Sequence, residues 1–440
     1  QNQKKVKIAT KNYRYNFKKF DNFHRISYNV SMMKKVTTTI IGGGFSGMIC
    51  AALINEDCGK VLVIERSERL GKKLSATGNG QGNLTNVNFG VSHYFTQNQS
   101  ERDKIEKILC NATDKTLISF FEKLGGLFSA DERGRVYPTC RQASSLTDLL
   151  RYRLTAGKTE ISLSTKVTEL KHDGKNFIVT VETEQGDERI ASENVIVCTG
   201  GKSAKNFGTD GNGYGLAKNF SHTVTPLYPA LVQLKTDASK TKSLKGIRVM
   251  NAKVSAYDKE KLLKTTRGDL IFTEYGVSGD AIFKLSSYVT QLAEKGTVTL
   301  FVDLLPEISE DILYSALEEK GKNQVVNKQE LLCGILNNQI GRLIMKESKD
   351  IKTVVETIKK FPIKVTGTLG FDYAQVTKGG IPLTEVNERL ESKLQKGLYF
   401  AGEVLDVDGE CGGYNLQWAF SSAVTVAQAL NKKSKARGQV

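Results

Sequence analysis

Histidine is scarce and paired cysteine absent in this 440-residue chain. Its four histidines (His24, His93, His172 and His222) lie far apart and show no metal-site spacing, so no metal centre is expected. The seven cysteines (Cys50, Cys58, Cys110, Cys140, Cys198, Cys333 and Cys411) are scattered and odd in number. None forms a Cys-x-x-Cys pair, which excludes a zinc knuckle and a redox-active dithiol of that type. Free thiols in a reducing cytosol are the simpler reading, and a cytoplasmic location is expected. A convincing membrane segment is missing too. The uncharged stretch 36–55 holds Gly42, Gly43, Gly44, Gly47 and three consecutive threonines, a poor membrane helix but a good strand, turn and helix start. Internal repeats and low-complexity tracts are absent.

Positive charge is plentiful, with a net charge of +16, but it is unevenly placed. Residues 1–31 hold eight Lys and Arg against Asp21 alone, and Lys432, Lys433, Lys435 and Arg437 stand without an acid in the last eleven residues. Most of the excess therefore lies in the tails, which makes a nucleic-acid groove on the folded body an unfavoured expectation. Residues 1–35 are basic, sprinkled with aromatics and without helical periodicity. They are expected to be a poorly ordered extension, with Met32 or Met33 a natural start and an acid-poor targeting peptide the alternative.

At this length two or three domains are expected. From Val36 the pattern runs strand, glycine turn, helix (about 46–54) and strand (61–64). Helices are expected over 101–125 and 145–155, a hairpin over 177–190, and a buried strand over 195–198. Alternating segments at 230–234, 249–257, 270–272 and 297–302 suggest a small antiparallel sheet or barrel. Residues 309–360 look mainly helical and rich in lysine, and β character returns near Val365. The expected division is an extension over 1–35, a discontinuous nucleotide-binding domain over 36–224 and 366–440, an inserted barrel over 225–308, and a helical segment over 309–365.

Two glycine-rich segments carry the chemistry. Gly42-x-Gly44-x-x-Gly47 follows a β-rich run and opens a helix through Phe45 and Ser46, the context of a dinucleotide fingerprint. Such glycines allow a tight turn, close approach of a pyrophosphate and close helix–strand packing, while the helix N-terminus offers free N–H groups to phosphate. Glu65, eighteen residues after Gly47 and at the end of the next strand, is placed to accept ribose hydroxyls. The stretch 70–86 is crowded with small and amide residues suited to wrapping a polar ligand, with Lys72 and Lys73 available for phosphate or an anionic flavin edge; the alternative is a solvated loop. Near the other end, the strand 398–401 leads to Gly402 and Glu403, where bare backbone can approach a pyrophosphate or ribityl chain. Gly412 and Gly413 precede a helix from about 414 to 429, whose first amides are suited to the N1–C2 carbonyl edge of an isoalloxazine. Cys411, beside this turn, is read as a small packing residue rather than a redox thiol.

With those residues in view, the chain resembles the BaiN-like (aminoacetone-oxidase-type) family of NAD(P)/FAD-dependent oxidoreductases over about 36–430. The resemblance is carried by residues 40–47, 65–66, 71–86, 198–201, 208–217, 229–234, 272–279 and 397–422. It implies an α/β fold: a discontinuous Rossmann-like FAD-binding domain, an inserted β-barrel domain and a small helical domain. It also implies FAD held by Gly42, Gly44, Phe45, Ser46, Gly47, Glu65, Arg66, Lys72, Lys73, Gly78, Asn79, Asn83, Thr85, Val167, Thr199, Gly200, Gly402, Glu403, Gly412, Gly413 and Asn415. The chain departs from the family pattern at Gln81 and Gly82 (commonly Arg-Cys), Glu274 (commonly His) and Asp280 (commonly Pro).

No second strand-linked Gly-x-Gly-x-x-Gly is present, so a separate pyridine-nucleotide domain is not expected: either NAD(P)H visits the flavin as a transient electron donor, or the substrate itself reduces the flavin. The leading expectation is an FAD-dependent oxidoreductase that moves hydride between flavin and a small organic substrate; the resemblance implies NAD(P)H-driven reduction of an activated C=C or related bond, or else oxidation of an amine. The alternatives are an FAD-binding protein of altered or lost activity, motivated by the departures just named, and a tRNA-associated flavoprotein, motivated by the charge. Glu274, Tyr275 and Tyr414 are weak candidates for the general acid, and none is assigned.

Overall fold

A computed structural model describes residues 33–184, 186–237, 241–322 and 327–437. The expectation of poor order over 1–35 falls almost wholly outside these residues. Lys34 and Lys35 already belong to the first strand, two residues before the expected boundary.

The main sheet is built on β10 (Gly186–Val197). On one side β10 pairs in parallel with β1 (Lys34–Ile41), which pairs with β2 (Val61–Ile64) and then β7 (Glu160–Ser162). On its other side, the first half of β10 forms an antiparallel hairpin with β9 (Phe177–Thr183), extended by β8 (Lys166–His172). The last residues of β10 take β19 (Leu398–Phe400) in parallel. All four residues of β2 are buried, as befits a parallel strand covered on both faces. One covering layer holds α1 (Phe45–Leu53), α4 (Ala143–Thr155) and the long C-terminal α10 (Tyr414–Arg437). A Cβ on Gly47 would overlap the carbonyl oxygen of Gly42, so only glycine lets α1 seat this closely on its own entry turn.

The helical stretch expected over 101–125 is two helices, α2 (Arg102–Asn111) and α3 (Asp114–Lys123). Thr113 separates them by capping α3, its side chain accepting from the Thr116 N–H. Small pairings hold the connections: β3 (Thr85–Asn86) and β5 (Phe128–Ala130) with β6 (Arg135–Pro138), β4 (Tyr94–Phe95) with β20 (Asp408–Gly409), and β11 (Tyr228–Ala230) with β18 (Val376–Lys378). The short α5 (Asn212–Lys218) follows β10.

A closed antiparallel barrel follows in the order β12 (Leu234–Thr236), β15 (Gly276–Ser278), β14 (Lys261–Phe272), β13 (Arg248–Asp258), β16 (Val298–Asp303) and β17 (Phe361–Thr368). Its closing strand comes from beyond the expected 225–308 and straddles the 365/366 boundary. Strict alternation of burial along β16 and the start of β17 turns Phe361, Ile363 and Val365 into the same core as Leu300 and Val302. That core also takes α6 (Asp280–Ala293) and apolar faces of α7 (Glu310–Gly321), α8 (Asn338–Glu347) and α9 (Ile351–Lys359). The helical segment thus shares the barrel's interior instead of forming a core of its own. Among the described residues no helix is long and apolar enough to cross a membrane.

Phe361 is 1% exposed and meets Phe272 edge-on, 6.3 Å between ring centroids. Phe361→Ala is expected to cost about 3–5 kcal/mol of unfolding free energy, read by urea denaturation. A loss under about 1 kcal/mol would mean that this strand does not close the barrel.

Candidate functional site

The first glycine turn opens α1 with no side-chain cap on Gly44, leaving the helix's first N–H groups facing outward without a protein acceptor of that kind. A Cβ built on Gly44 meets nothing within 4 Å. Beside this turn runs a cleft lined by Gly42, Glu65, Arg66, Val167, Thr199 and Asp210, among others. Glu65 Oε2 accepts from the Gly43 N–H (2.8 Å) and its Oε1 from the Ser67 N–H (2.7 Å). Each carboxylate oxygen keeps a further lone pair for a ligand hydroxyl. Arg66 does not reach into the cleft as a free cation, because its Nη1 pairs with Asp210 at 2.6 Å.

The two glycine segments, more than 350 residues apart, meet directly. A Cβ on Gly402 would come within 2.6 Å of Ser46 Oγ, which itself donates to the Ala401 carbonyl at 3.5 Å. The Gly402 N–H donates to Ser422, and Trp418 Nε1 donates to the Gly402 carbonyl, so α10 clamps this turn. Gly413 has φ +103° and presses against the Thr85 backbone, where any side chain would collide. Thr85 is fully buried and donates to Gln417 at 2.7 Å, tying the 70–86 stretch to α10. Asn83 donates to the Thr85 and Val136 carbonyls. Asn415 binds both the N–H and the carbonyl of Gly409, fixing the loop that leads to Gly412.

Other expected contacts fall differently. Lys73 is drawn to Glu403 at 2.8 Å, and Lys72 faces Glu68 at 3.4 Å, so both expected cations are already paired. The other oxygen of Glu403 accepts from the Thr377 N–H. Gly200 sits beside Thr209, with Glu403 near it, while Gly78 and Asn79 lie exposed at the tip of their loop. Glu274 is exposed and bonded to Lys245, far from the role of an enclosed acid. The Tyr414 hydroxyl donates to the Asn88 carbonyl, and Tyr275 is half-buried in the turn between β14 and β15. Burial pushes the Cys411 thiol up to about 11, so it stays protonated and suits a packing role.

Two groups of side chains were not singled out by sequence reasoning. Asp408 is fully enclosed, and neither of its carboxylate oxygens has a hydrogen-bond partner among the described residues. Burial raises its carboxyl to about 7, against the pull of nearby Lys378. Asp406 is likewise raised to about 6 by burial, and one of its oxygens is also orphaned. The doublet Asp406-Val-Asp408 inside a glycine-flanked loop was a usable signal. The second group joins His93, Glu410, Tyr288 and Lys264. These come from four distant segments, and no local spacing announces them.

An uncapped helix start beside open space, a carboxylate with spare lone pairs, and a second bare turn touching the first at Ser46 together offer a cradle suited to an extended dinucleotide. FAD fits the donors and acceptors present.

The family description "HI0933-like protein Rossmann domain" matches residues 36–429. A protein of Clostridium scindens named 3-dehydro-bile acid delta(4,6)-reductase is 34% identical over 413 residues, covering 90% of this chain and 98% of the relative. A ribosomal RNA dihydrouridine synthase of Haemophilus influenzae is 28% identical over 415 residues, with coverages of 90% and 98%. Among solved structures, 3-ketosteroid delta1-dehydrogenase from Sterolibacterium denitrificans superposes with a TM-score of 0.52 at 11% identity, covering 91% of this chain and all of that one. At that identity the likeness shows the shared fold.

Two substitutions separate cofactor binding from folding. Gly44→Ala places its methyl in open space, so melting should stay near wild type while FAD affinity falls at least about tenfold. Gly47→Ala should lower the melting temperature itself. Full flavin retention by Gly44→Ala would displace the cradle from this turn.

Asp408 yields a pH prediction. The folded chain holds this proton to a higher pH than the unfolded chain, so its contribution to stability falls from roughly pH 4, the ordinary carboxyl range, to about pH 7 and then levels off. In the cofactor-free protein Asp408→Asn should therefore melt higher than wild type at pH 8, with the gap closing toward pH 4. An equal gap at both pH values would refute the assignment.

Proposed function

The chain belongs to the HI0933-like Rossmann family of FAD-binding oxidoreductases, and from that premise we propose that it reduces a carbon–carbon double bond conjugated with a carbonyl, using NAD(P)H as reductant. The observation that carries this reading is the contact of the α1 turn with Gly402 through Ser46, with α10 joining Gly402 to the Gly412–Gly413 turn through Trp418 and Ser422. FAD bound there supplies the capacity to accept a hydride from one partner and pass it to another. Gly44, Glu65, Gly402 and the start of α10 are the residues assigned to hold it. The absence of a second dinucleotide fingerprint in the sequence favours a nicotinamide that visits and leaves.

The names of the two relatives support the bond type. A 3-dehydro compound with unsaturation at positions 4 and 6 is a conjugated dienone, and dihydrouridine is uridine whose double bond, conjugated with a carbonyl, has been saturated. In such bonds the carbonyl withdraws electron density, so the far carbon accepts hydride and the near carbon accepts a proton.

A macromolecular uracil substrate is the second reading. Arg135 stands beside Gly412, and Arg133, Arg141, Lys264 and Lys284 are linked around it through Asp280, Tyr137 and Glu410, five cations against Asp131, Asp280 and Glu410. Most of these cations are already paired, which favours the small-molecule reading over this one.

The test is anaerobic mixing with NADH and then NADPH, followed by a steroidal 4,6-dien-3-one or a uridine-containing RNA. Bleaching of the flavin band by a nucleotide, and its return on adding one of these acceptors, is the expected sequence of events. FAD-loaded protein that neither nucleotide bleaches would overturn the NAD(P)H-driven reading. Recovery with RNA alone, weakening steeply as salt is raised, would select the second substrate class.

A further inference from the structure

Resting on the reductase reading, we propose that His93 is the acid that protonates the substrate carbon and that Glu410 is the residue that positions it. Reduction of a conjugated double bond needs a proton as well as a hydride, and the proton must come from a group with both a fixed geometry and a route to water.

His93 has both. Its Nδ1 lies 2.9 Å from Glu410 Oε2, and the Glu410 N–H donates back to the His93 carbonyl at 2.9 Å. The imidazole stacks on Tyr414 at 4.3 Å between centroids, 17° from parallel, and Tyr414 is the first residue of α10 after Gly412 and Gly413. The ring therefore lies against the side chain of the residue that begins α10, directly after the Gly412–Gly413 turn. With a carboxylate at Nδ1, that nitrogen keeps its hydrogen in either charge state, so the proton that leaves and returns is the one on Nε2. Nε2 makes no hydrogen bond among the described residues, and the side chain is 29% exposed, which lets solvent restore the proton.

Glu410 is held from the barrel side. The Tyr288 hydroxyl, on α6, donates to its Oε1 at 3.2 Å, and Lys264 Nζ, on β14, stands 3.8 Å from the same oxygen and 4.7 Å from the Tyr288 ring centroid. Burial, the largest cause, raises the Tyr288 hydroxyl above its ordinary range, which suits a donor that keeps its hydrogen. The charged and titratable groups facing this dyad are thus Lys264, Tyr288 and Tyr414, with Tyr94 edge-on to Tyr414 behind them. Asp408, the other acid near α10, is sealed from solvent and has no comparable path for renewal.

The step balances. FAD held by the two glycine turns would supply the hydride, renewed from NAD(P)H, for the new C–H bond at the carbon farther from the carbonyl. The π electrons shift toward the nearer carbon, which takes the Nε2 proton. That N–H pair stays on the imidazole, now neutral, and water returns the proton.

The experiment uses full-length, FAD-loaded protein reduced anaerobically with the effective nucleotide and then mixed with a steroidal 4,6-dien-3-one. His93→Ala should slow return of the flavin band by at least about 100-fold, and added imidazole should restore part of the loss. Glu410→Gln should slow it by about tenfold. In nitrogen-15 spectra of the cofactor-free protein, Glu410→Ala, which leaves no acceptor, should also abolish the hydrogen-bonded Nδ1–H signal of His93, a readout independent of turnover. If His93→Ala is within twofold of wild type while wild type consumes the dienone, the proposal falls and the reductase reading stands. If His93→Ala is slow but imidazole restores nothing, or the Nδ1–H signal survives Glu410→Ala, the role is structural and the proposal falls. Should wild type be reoxidised by neither the dienone nor a uridine-containing RNA, the reductase reading falls and takes the proposal with it.

Discussion

Everything in the cradle depends on one strand having two parallel partners. The C-terminal end of β10 pairs with β1 on one side and with β19 on the other. Because all three run the same way, the chain leaves β1 and β19 at one edge of the sheet. Two distant glycine turns are thereby delivered to the same crevice, the place where open parallel sheets bind ligands. Without that shared neighbour, Ser46 and Gly402 would have no reason to touch. The contact tolerates no side chain at Gly402, and α1 tolerates none at Gly47. Those are packing requirements of the sheet edge first, and ligand requirements only through what they leave open.

The barrel is joined to this sheet through polar contacts as well as through the chain itself. Arg133 on the sheet side meets Asp280 at the start of α6, and Tyr288 and Lys264 reach Glu410 in the last glycine loop. Surface pairs of this kind contribute little to stability one at a time. Their geometric effect is larger, since Glu410 is addressed by three different segments and so keeps one orientation. The same crowding explains why Lys73 and Arg66 are not free for an anion: each stands beside a carboxylate placed by the converging loops. A phosphate reaching this cradle would meet backbone N–H groups before any unpaired cation.

The backbone part of the site was legible in the sequence because it is local. Gly42, Gly44 and Gly47 lie on one turn, Glu65 ends the adjacent strand, and Val61 to Ile64 form an uninterrupted apolar run. Periodicity also revealed the barrel strands, but not which strand closes the barrel. The closing strand follows three helices, and closure depends on pairing β17 with β12 across more than a hundred residues. The two-helix form of 102–123 was hidden because apolar spacing continues across the break at Thr113. His93 and Glu410 are 317 residues apart, and Tyr288 and Glu410 are 122 apart. Nothing in the neighbourhood of any one of them marks it; the chemistry exists only after folding.

The departures from the family pattern look different in this light. The resemblance marks Glu274 as standing where the family commonly has histidine. In the fold Glu274 faces solvent against Lys245, and an imidazole is supplied elsewhere, by the segment that leads into β4. Asp280, which replaces a proline, is bonded to Arg133 and Lys284 and so ties the entry of α6 to the sheet domain. Proline at that position could make neither contact. A chain that loses one side chain at a cleft keeps its chemistry only if another group of suitable type can reach the same space. Here the group must stand near the start of α10, and the β4–β20 pairing holds His93 there through the backbone. The position of the histidine thus follows from a strand pairing rather than from the loop in which the family pattern would seek it.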